Sequence, residues 1–412
     1  MDDATAVDDV KAPRTAPANA VWATLAAFCA SLVGIGLARF AYSPLLPAIV
    51  GAHWFESAAA AYLGAANLAG YLAGALAGRP FAARVPVVTA LRAMMLLATA
   101  AFLACAFPVS FAWFFGWRFL AGLAGGALMV LAAPAVLPHV PARRRGLAGG
   151  VIFMGVGVGI AASGTLVPLL LQDGLRDTWL ALAGLSLLLT AIAWKGWPSR
   201  PAPAAAVPVA RHPMRANATT LRALYVEYAL NAAGWVPHMI FLVDFVARGL
   251  GEGVAAGSRY WVLFGIGATV GPILVGYLAD RIGFKRALRL AFALQTIGVV
   301  IPAVHPAPAW LIVSSVVVGA FVTGTVPLVL GRVHELLAHQ PARRDPAWRT
   351  ATVAFALFQA MAAYGLSYVF AQSGADYRLL FFAGTAAMVC AFVIDMLAGA
   401  RERAQAAGTT AP

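Results

Sequence analysis

The sequence predicts an all-α polytopic membrane protein: twelve transmembrane helices in two six-helix bundles, related by a pseudo-two-fold axis along the membrane normal. Three observations predict it. Of the 412 residues, 62% are hydrophobic and 11% charged, whereas a soluble domain carries about 25% charged residues. Such a chain cannot cover a soluble surface with polar groups. It contains twelve apolar runs of the length that crosses a bilayer, about 20 residues each, split six and six by a proline-rich segment. Finally, part of the first half recurs in the second at a fixed offset of 202 residues.

In chain order, residues 1–19 hold Asp2, Asp3, Asp8 and Asp9. That is the wrong charge for a signal peptide and reads as a disordered cytoplasmic tail. The N-terminal bundle, 20–194, has apolar runs at about 20–48, 57–78, 86–107, 109–134, 146–171 and 178–194. Residues 195–220 carry Pro198, Pro201, Pro203, Pro208 and Pro213 among alanines and basic residues, a composition for an extended linker. The C-terminal bundle, 221–400, has runs at about 221–247, 259–279, 287–304, 308–331, 350–372 and 377–399, and 401–412 forms a second cytoplasmic tail.

The net charge of +13 is a topology signal. With both termini on one side, 23 of the 29 Lys and Arg residues fall on that side. Four fall on the other (Arg176, Arg248, Arg259 and Arg378), and Arg39 and Arg118 lie within spans. The positive-inside rule then places both termini in the cytoplasm, as expected of a multi-pass protein of a bacterial inner (plasma) membrane. A nucleic-acid partner would need basic residues gathered on one face with aromatics among them; here they are scattered over short loops. Cys29, Cys105 and Cys390 all sit in apolar stretches and offer neither a disulfide framework nor metal spacing. No metal and no cofactor is implied, and a monomer in the lipid bilayer is expected.

In the repeat, Gly74, Leu76, Ala77 and Arg79 close the second span and return as Gly276, Leu278, Ala279 and Arg281 at the end of the eighth. Gly122 in the fourth span returns as Gly324 in the tenth. Two parallel halves of this kind are a known transporter architecture. The segment with Gly276, Asp280, Arg281, Gly283, Lys285 and Arg286 resembles the signature loop of the major facilitator superfamily. Arg118, Gly122 and Gly126 are similar to that superfamily's fourth-helix element. The first span, with Gly34, Gly36, Arg39, Tyr42, Pro44 and Pro47, resembles its bacterial YbfB/YjiJ-type branch.

The resemblance implies that the first, fourth, seventh and tenth spans line a central cavity and that Asp280 closes a cytoplasmic latch against the start of span eleven. Two departures stand out. Gly78 replaces the acidic residue of the loop in the N-terminal half. Gly155, Gly157, Gly159 and Gly164 in span five lack the Gly-Pro of the antiporter element.

An ionisable side chain mid-membrane costs about 2.5–3.5 kcal/mol on insertion scales, which makes it a functional candidate. Arg39 and Arg118 qualify. On span seven, 100° per residue puts Glu227, Asn231 and His238 on one stripe, beside Gly234. Tyr42, Trp235 and Thr323 complete the substrate- or proton-binding candidates. Each has a plainer reading. Arg118 could hydrogen-bond backbone carbonyls and brace its bundle, Arg39 could snorkel to headgroups, Glu227 could be a solvated helix-end carboxylate, and His238 a satisfied buried histidine. Asn67, Gln359 and Tyr364 read as polar glue between helices.

These features predict a secondary transporter that moves a small solute by alternating access, with the proton as coupling ion and Glu227 or His238 as its carrier. No Walker-type phosphate loop is present to make ATP the direct energy source. Two intramembrane arginines favour an organic anion. Efflux of a lipophilic cation, using Glu227, Tyr42 and Trp235, is the competing reading. A membrane enzyme would have only His139 and the His334–Glu335 pair for its chemistry, so no enzymatic activity is expected. A non-transporting sensor of the same fold is a further alternative.

Overall fold

Every crossing helix here must satisfy its own backbone, because lipid offers no hydrogen-bond partners. The computed structural model describes residues 17–141, 144–198 and 218–408, all helix and connecting turns. The expected tail and linker fall largely outside the described residues. Twelve helices are long and apolar enough to span a membrane. The first six are Ala20–Gly51, Ser57–Ala82, Val87–Cys105, Phe111–His139, Leu147–Leu170 and Leu175–Ala193. The second six are Ala218–Gly249, Gly253–Ile282, Phe284–Val304, Pro308–Leu336, Pro341–Gln372 and Tyr377–Arg401. Their order and number are those expected. The main differences are at the ends: the eleventh begins earlier, because Arg343, Arg344 and Arg349 are helical despite their polarity, and the last helix continues to Gly408.

The internal repeat is visible as packing. Spans two and four cross at glycines, and so do spans eight and ten. A Cβ on Gly122 would run into the backbone oxygen of Asn67, so only glycine allows the fourth helix to lie this close to the second. In the second half, Gly271 and Gly319 meet Ala320 and Phe264 backbone in the same way.

The bundles meet along three seams: span five on span eight, span two on span eleven, and the ends of spans one and seven on each other. Gly157 abuts the Thr269 backbone, and Gly265 abuts Ala161. Among the described residues, the hydrogen bonds that cross between bundles all lie at mid-span or toward the face away from the termini. They join Arg39 to Met239 and Gln359, Ser43 to the Met239 carbonyl, Arg248 to Ser57, and Trp261 to Ser163. On the face toward the termini, Gly149, Gly150 and Gly276 have nothing beside them where a side chain would begin. Among the described residues, the hydrogen bonds that clasp the bundles thus gather toward the face opposite the termini.

Candidate functional site

Two helices that look continuous in sequence are broken near their centres. In the first span, Leu32–Leu37 is a π-helical turn, with Ala38 N–H donating to the Val33 carbonyl at 3.0 Å. A turn at 38–41 separates it from the helix Tyr42–Gly51. Pro44 and Pro47 lack the N–H that would continue the ladder. In the seventh span the helix Ala218–Gly234 stops at Trp235 (φ −95°, ψ 0°), and Val236–Asp244 resumes it with Pro237 at its start. The two breaks face each other, with Phe40 and Trp235 rings stacked at 6.4 Å. Interrupted helices at corresponding places in two halves are where midplane sites form.

Arg39 lies between these breaks, 8% exposed. Its guanidinium stands over three rings, 5.2 Å from Phe40, 5.0 Å from Tyr71 and 5.6 Å from Trp235. It donates to Gln359 Oε1 at 2.5 Å and to the Met239 sulfur at 3.3 and 3.4 Å. Among the described residues no carboxylate comes within ion-pair distance of it. Arg39 therefore does not snorkel: it is held at the seam of the bundles by π faces, a thioether and an amide.

Arg118 takes the bracing role. Its Nη1 donates to the Ala38 carbonyl at 2.8 Å, a group released by the break in span one, and its Cζ stands 4.4 Å from the Tyr42 ring. Asn67 supports the same carbonyl at 3.4 Å and the Arg118 carbonyl at 3.1 Å, as interhelical glue. Tyr42 donates to the Ala60 carbonyl at 2.6 Å.

The stripe on span seven is real but turns away from the seam. Asn231 donates to Gln295 Oε1 at 3.0 Å and to the Met388 sulfur at 3.3 Å. His238 Nε2 pairs with Ser314 Oγ at 2.8 Å, with Phe381 edge-on at 5.2 Å. Glu227 is 3% exposed and shares a small polar pocket with Lys285, Arg332 and Asp395 at the termini end of the C-terminal bundle. It is thus no solvated helix-end carboxylate. Thr323 bonds the Ala268 carbonyl at 2.6 Å inside that bundle. A helical wheel fixes which residues share a face, not the direction in which the face points. Of the candidates, Arg39 and Trp235 meet at the seam with Tyr42 close by; Asn231, His238, Glu227 and Thr323 do not join them.

The signature loop is unlatched. Asp280 is exposed and makes no ion pair among the described residues, Arg281 folds back on Tyr277, and Gly283 has the positive φ of +83° that its turn requires. Arg286 is exposed, and Gly276 lies open beside the loop.

Sequence reasoning missed Asp244, Tyr71 and Met239, and read Gln359 as interhelical glue without placing it at Arg39. Asp244 is fully buried near the far end of span seven, bridged to Arg248 at 2.5 Å and accepting from Tyr377 at 2.7 Å. Arg248 also donates to Ser57 of the other bundle at 2.6 Å. Its placement in a loop was an error of boundary, because a π-helical turn carries the helix to Gly249. The Asp–Arg spacing of four residues inside an apolar run was the available signal.

Comparison with known proteins agrees with the fold. The family described as "Uncharacterised MFS-type transporter YbfB" matches residues 31–395. A gallate transporter from Pseudomonas putida is 27% identical over 304 residues, covering 63% of this chain and 62% of that protein's length. The chain thus aligns with under two thirds of that curated relative. Among solved structures, a nucleoside transporter superposes with a TM-score of 0.72 at 13% identity, covering 92% of this chain and 99% of the other. A D-xylose–proton symporter gives 0.70 at 15%, covering 91% and 97%. A bacterial homologue of the human lysosomal transporter Spinster, in an inward-facing and occupied conformation, gives 0.70 at 16%, covering 94% and 97%. These likenesses establish the fold. With its repeated six-helix halves and a family match over most of its length, the chain belongs to the YbfB-type family of the major facilitator superfamily.

Proposed function

We propose that the protein is a secondary transporter of small organic anions, working by alternating access through the Arg39 site and driven by a proton gradient. One observation carries the reading: Arg39 is buried at the seam of the bundles without a counter-charge among the described residues. A guanidinium left uncompensated in the membrane is costly. An anionic substrate supplies the missing charge, and the guanidinium offers a two-pronged donor for a carboxylate. The gallate transporter among the relatives supports an organic anion as cargo. A lipophilic cation would meet an unneutralised arginine at the same place, which disfavours the efflux reading.

The charge asymmetry of the loops supports a cytoplasmic location of the termini in a bacterial inner membrane. The clasped face is then periplasmic. Proton coupling rests on the missing phosphate loop and on buried Glu227, since His238 is enclosed by Ser314 and Phe381.

Counterflow of labelled gallate in proteoliposomes tests the reading. Wild type should accumulate label, and Arg39→Ala should slow it at least about tenfold, the loss expected for one charge-assisted hydrogen bond. A pH gradient should accelerate wild type but not Glu227→Gln. Counterflow unchanged in Arg39→Ala would remove the anion site, and acceleration unchanged in Glu227→Gln would remove that carboxylate from the coupling.

A further inference from the structure

Two buried donors in residues that touch Arg39 lack a partner. The Trp235 Nε1 and Gln359 Nε2 atoms are buried without a hydrogen-bond partner, in residues 2% and 1% exposed. Both border the same guanidinium: Gln359 accepts from Arg39 through Oε1, which leaves its amide nitrogen beside it, and the indole of Trp235 lies under Arg39. Native proteins rarely leave buried donors unpaired, because each costs about 1–3 kcal/mol. Two such donors flanking a cation without a counter-charge describe a place built for an acceptor-rich anion.

The apolar wall beside this group is aromatic. From Trp235 the rings run toward the termini side, with Phe355 at 6.4 Å, Tyr228 a further 4.6 Å on, and Trp348 6.2 Å beyond that. Phe40 and Tyr71 close the other bundle's side. Flat faces at this spacing favour a planar π system over an aliphatic chain by offset or edge contacts.

Resting on the organic-anion reading, we propose that the site selects an aromatic monocarboxylate. Its carboxylate accepts from Arg39, Trp235 Nε1 and Gln359 Nε2, and its ring lies against Trp235 and Phe355. Trp235 is then a specificity-determining residue with two separable parts, an N–H for the carboxylate and a face for the ring.

Isothermal titration of the purified full-length protein with four probes tests this: benzoate, 4-hydroxybenzoate, cyclohexanecarboxylate and benzyl alcohol. The aromatic acids should bind about three- to tenfold more tightly than the alicyclic acid, the range for an aromatic pair beyond its area. Benzyl alcohol should not bind measurably. Trp235→Phe keeps a ring and drops the donor, so it should weaken both acid classes by about fivefold and preserve the preference. Trp235→Leu should abolish the preference. Equal binding of cyclohexanecarboxylate and the aromatic acids in wild type would overturn the aromatic selection and leave the anion reading standing. Binding of benzyl alcohol as tight as benzoate, or no binding of any acid, would overturn both. The wild-type panel decides the question even if a variant fails to fold.

Discussion

Arg39 and Arg118 both belong to the N-terminal bundle, yet their surroundings give them opposite roles. Arg118 donates the shorter of two bonds to the Ala38 carbonyl exposed by the broken first helix, so Arg118→Ala leaves that buried acceptor with the long Asn67 bond alone and should destabilise by about 1–3 kcal/mol. Arg39→Met, similar in length and apolar, removes a buried charge but leaves the Gln359 Oε1 without its donor, so it should unfold close to the wild-type temperature and later than Arg118→Ala. Thermal unfolding in detergent checks the pair; a lower melting temperature for Arg39→Met than for Arg118→Ala would reverse the assignment. The sequence shows two arginines in apolar runs and stops there. What separates them is the turn at 38–41, whose free carbonyl cannot be inferred from residue type. Gln359 is a related case: one amide in span eleven reads as glue until the fold brings Arg39 against it.

At the scale of elements, the interrupted spans one and seven position the site. Both read as continuous spans in the sequence, and the breaks went unread although Gly34, Gly36 and Pro44, and Gly234 and Pro237, were there to mark them. The stripe of Glu227, Asn231 and His238 was legible as a stripe, but its direction was not, since rotation of a helix about its axis is set by its neighbours. Beyond the break, buried Asp244 holds Arg248, which reaches Ser57 of the other bundle. Asp244→Asn should loosen this clasp because the amide cannot hold the guanidinium as a bidentate ion pair. A cysteine at Ser43, buried at the seam, reports it in a background with exposed Cys390 replaced by serine. Labelling from the face opposite the termini should run several-fold faster with Asp244→Asn; equal rates would show that the Asp244–Arg248 pair does not hold that face.

For the whole molecule, composition, the 202-residue repeat and the charge asymmetry led to the fold, because each reflects the bilayer rather than any detail of packing. How the halves touch was not legible, since seam and lipid face are both apolar. Span five meets span eight where Gly157 faces the Thr269 backbone. Gly157→Leu has no space there and should separate the bundles, cutting counterflow at least about tenfold, as overpacking of a close-packed contact costs about 1–3 kcal/mol; flux at the wild-type rate would show that the seam yields.

The central claim is that an organic anion completes the charge of Arg39. A thermal-shift comparison of purified wild type and Arg39→Ala, against matched organic anions and lipophilic cations, tests it most directly, because a ligand that binds the folded state raises the melting temperature by mass action. The account predicts stabilisation of wild type by anions alone, lost in Arg39→Ala. Stabilisation by the cations, or by anions equally in both proteins, would contradict it.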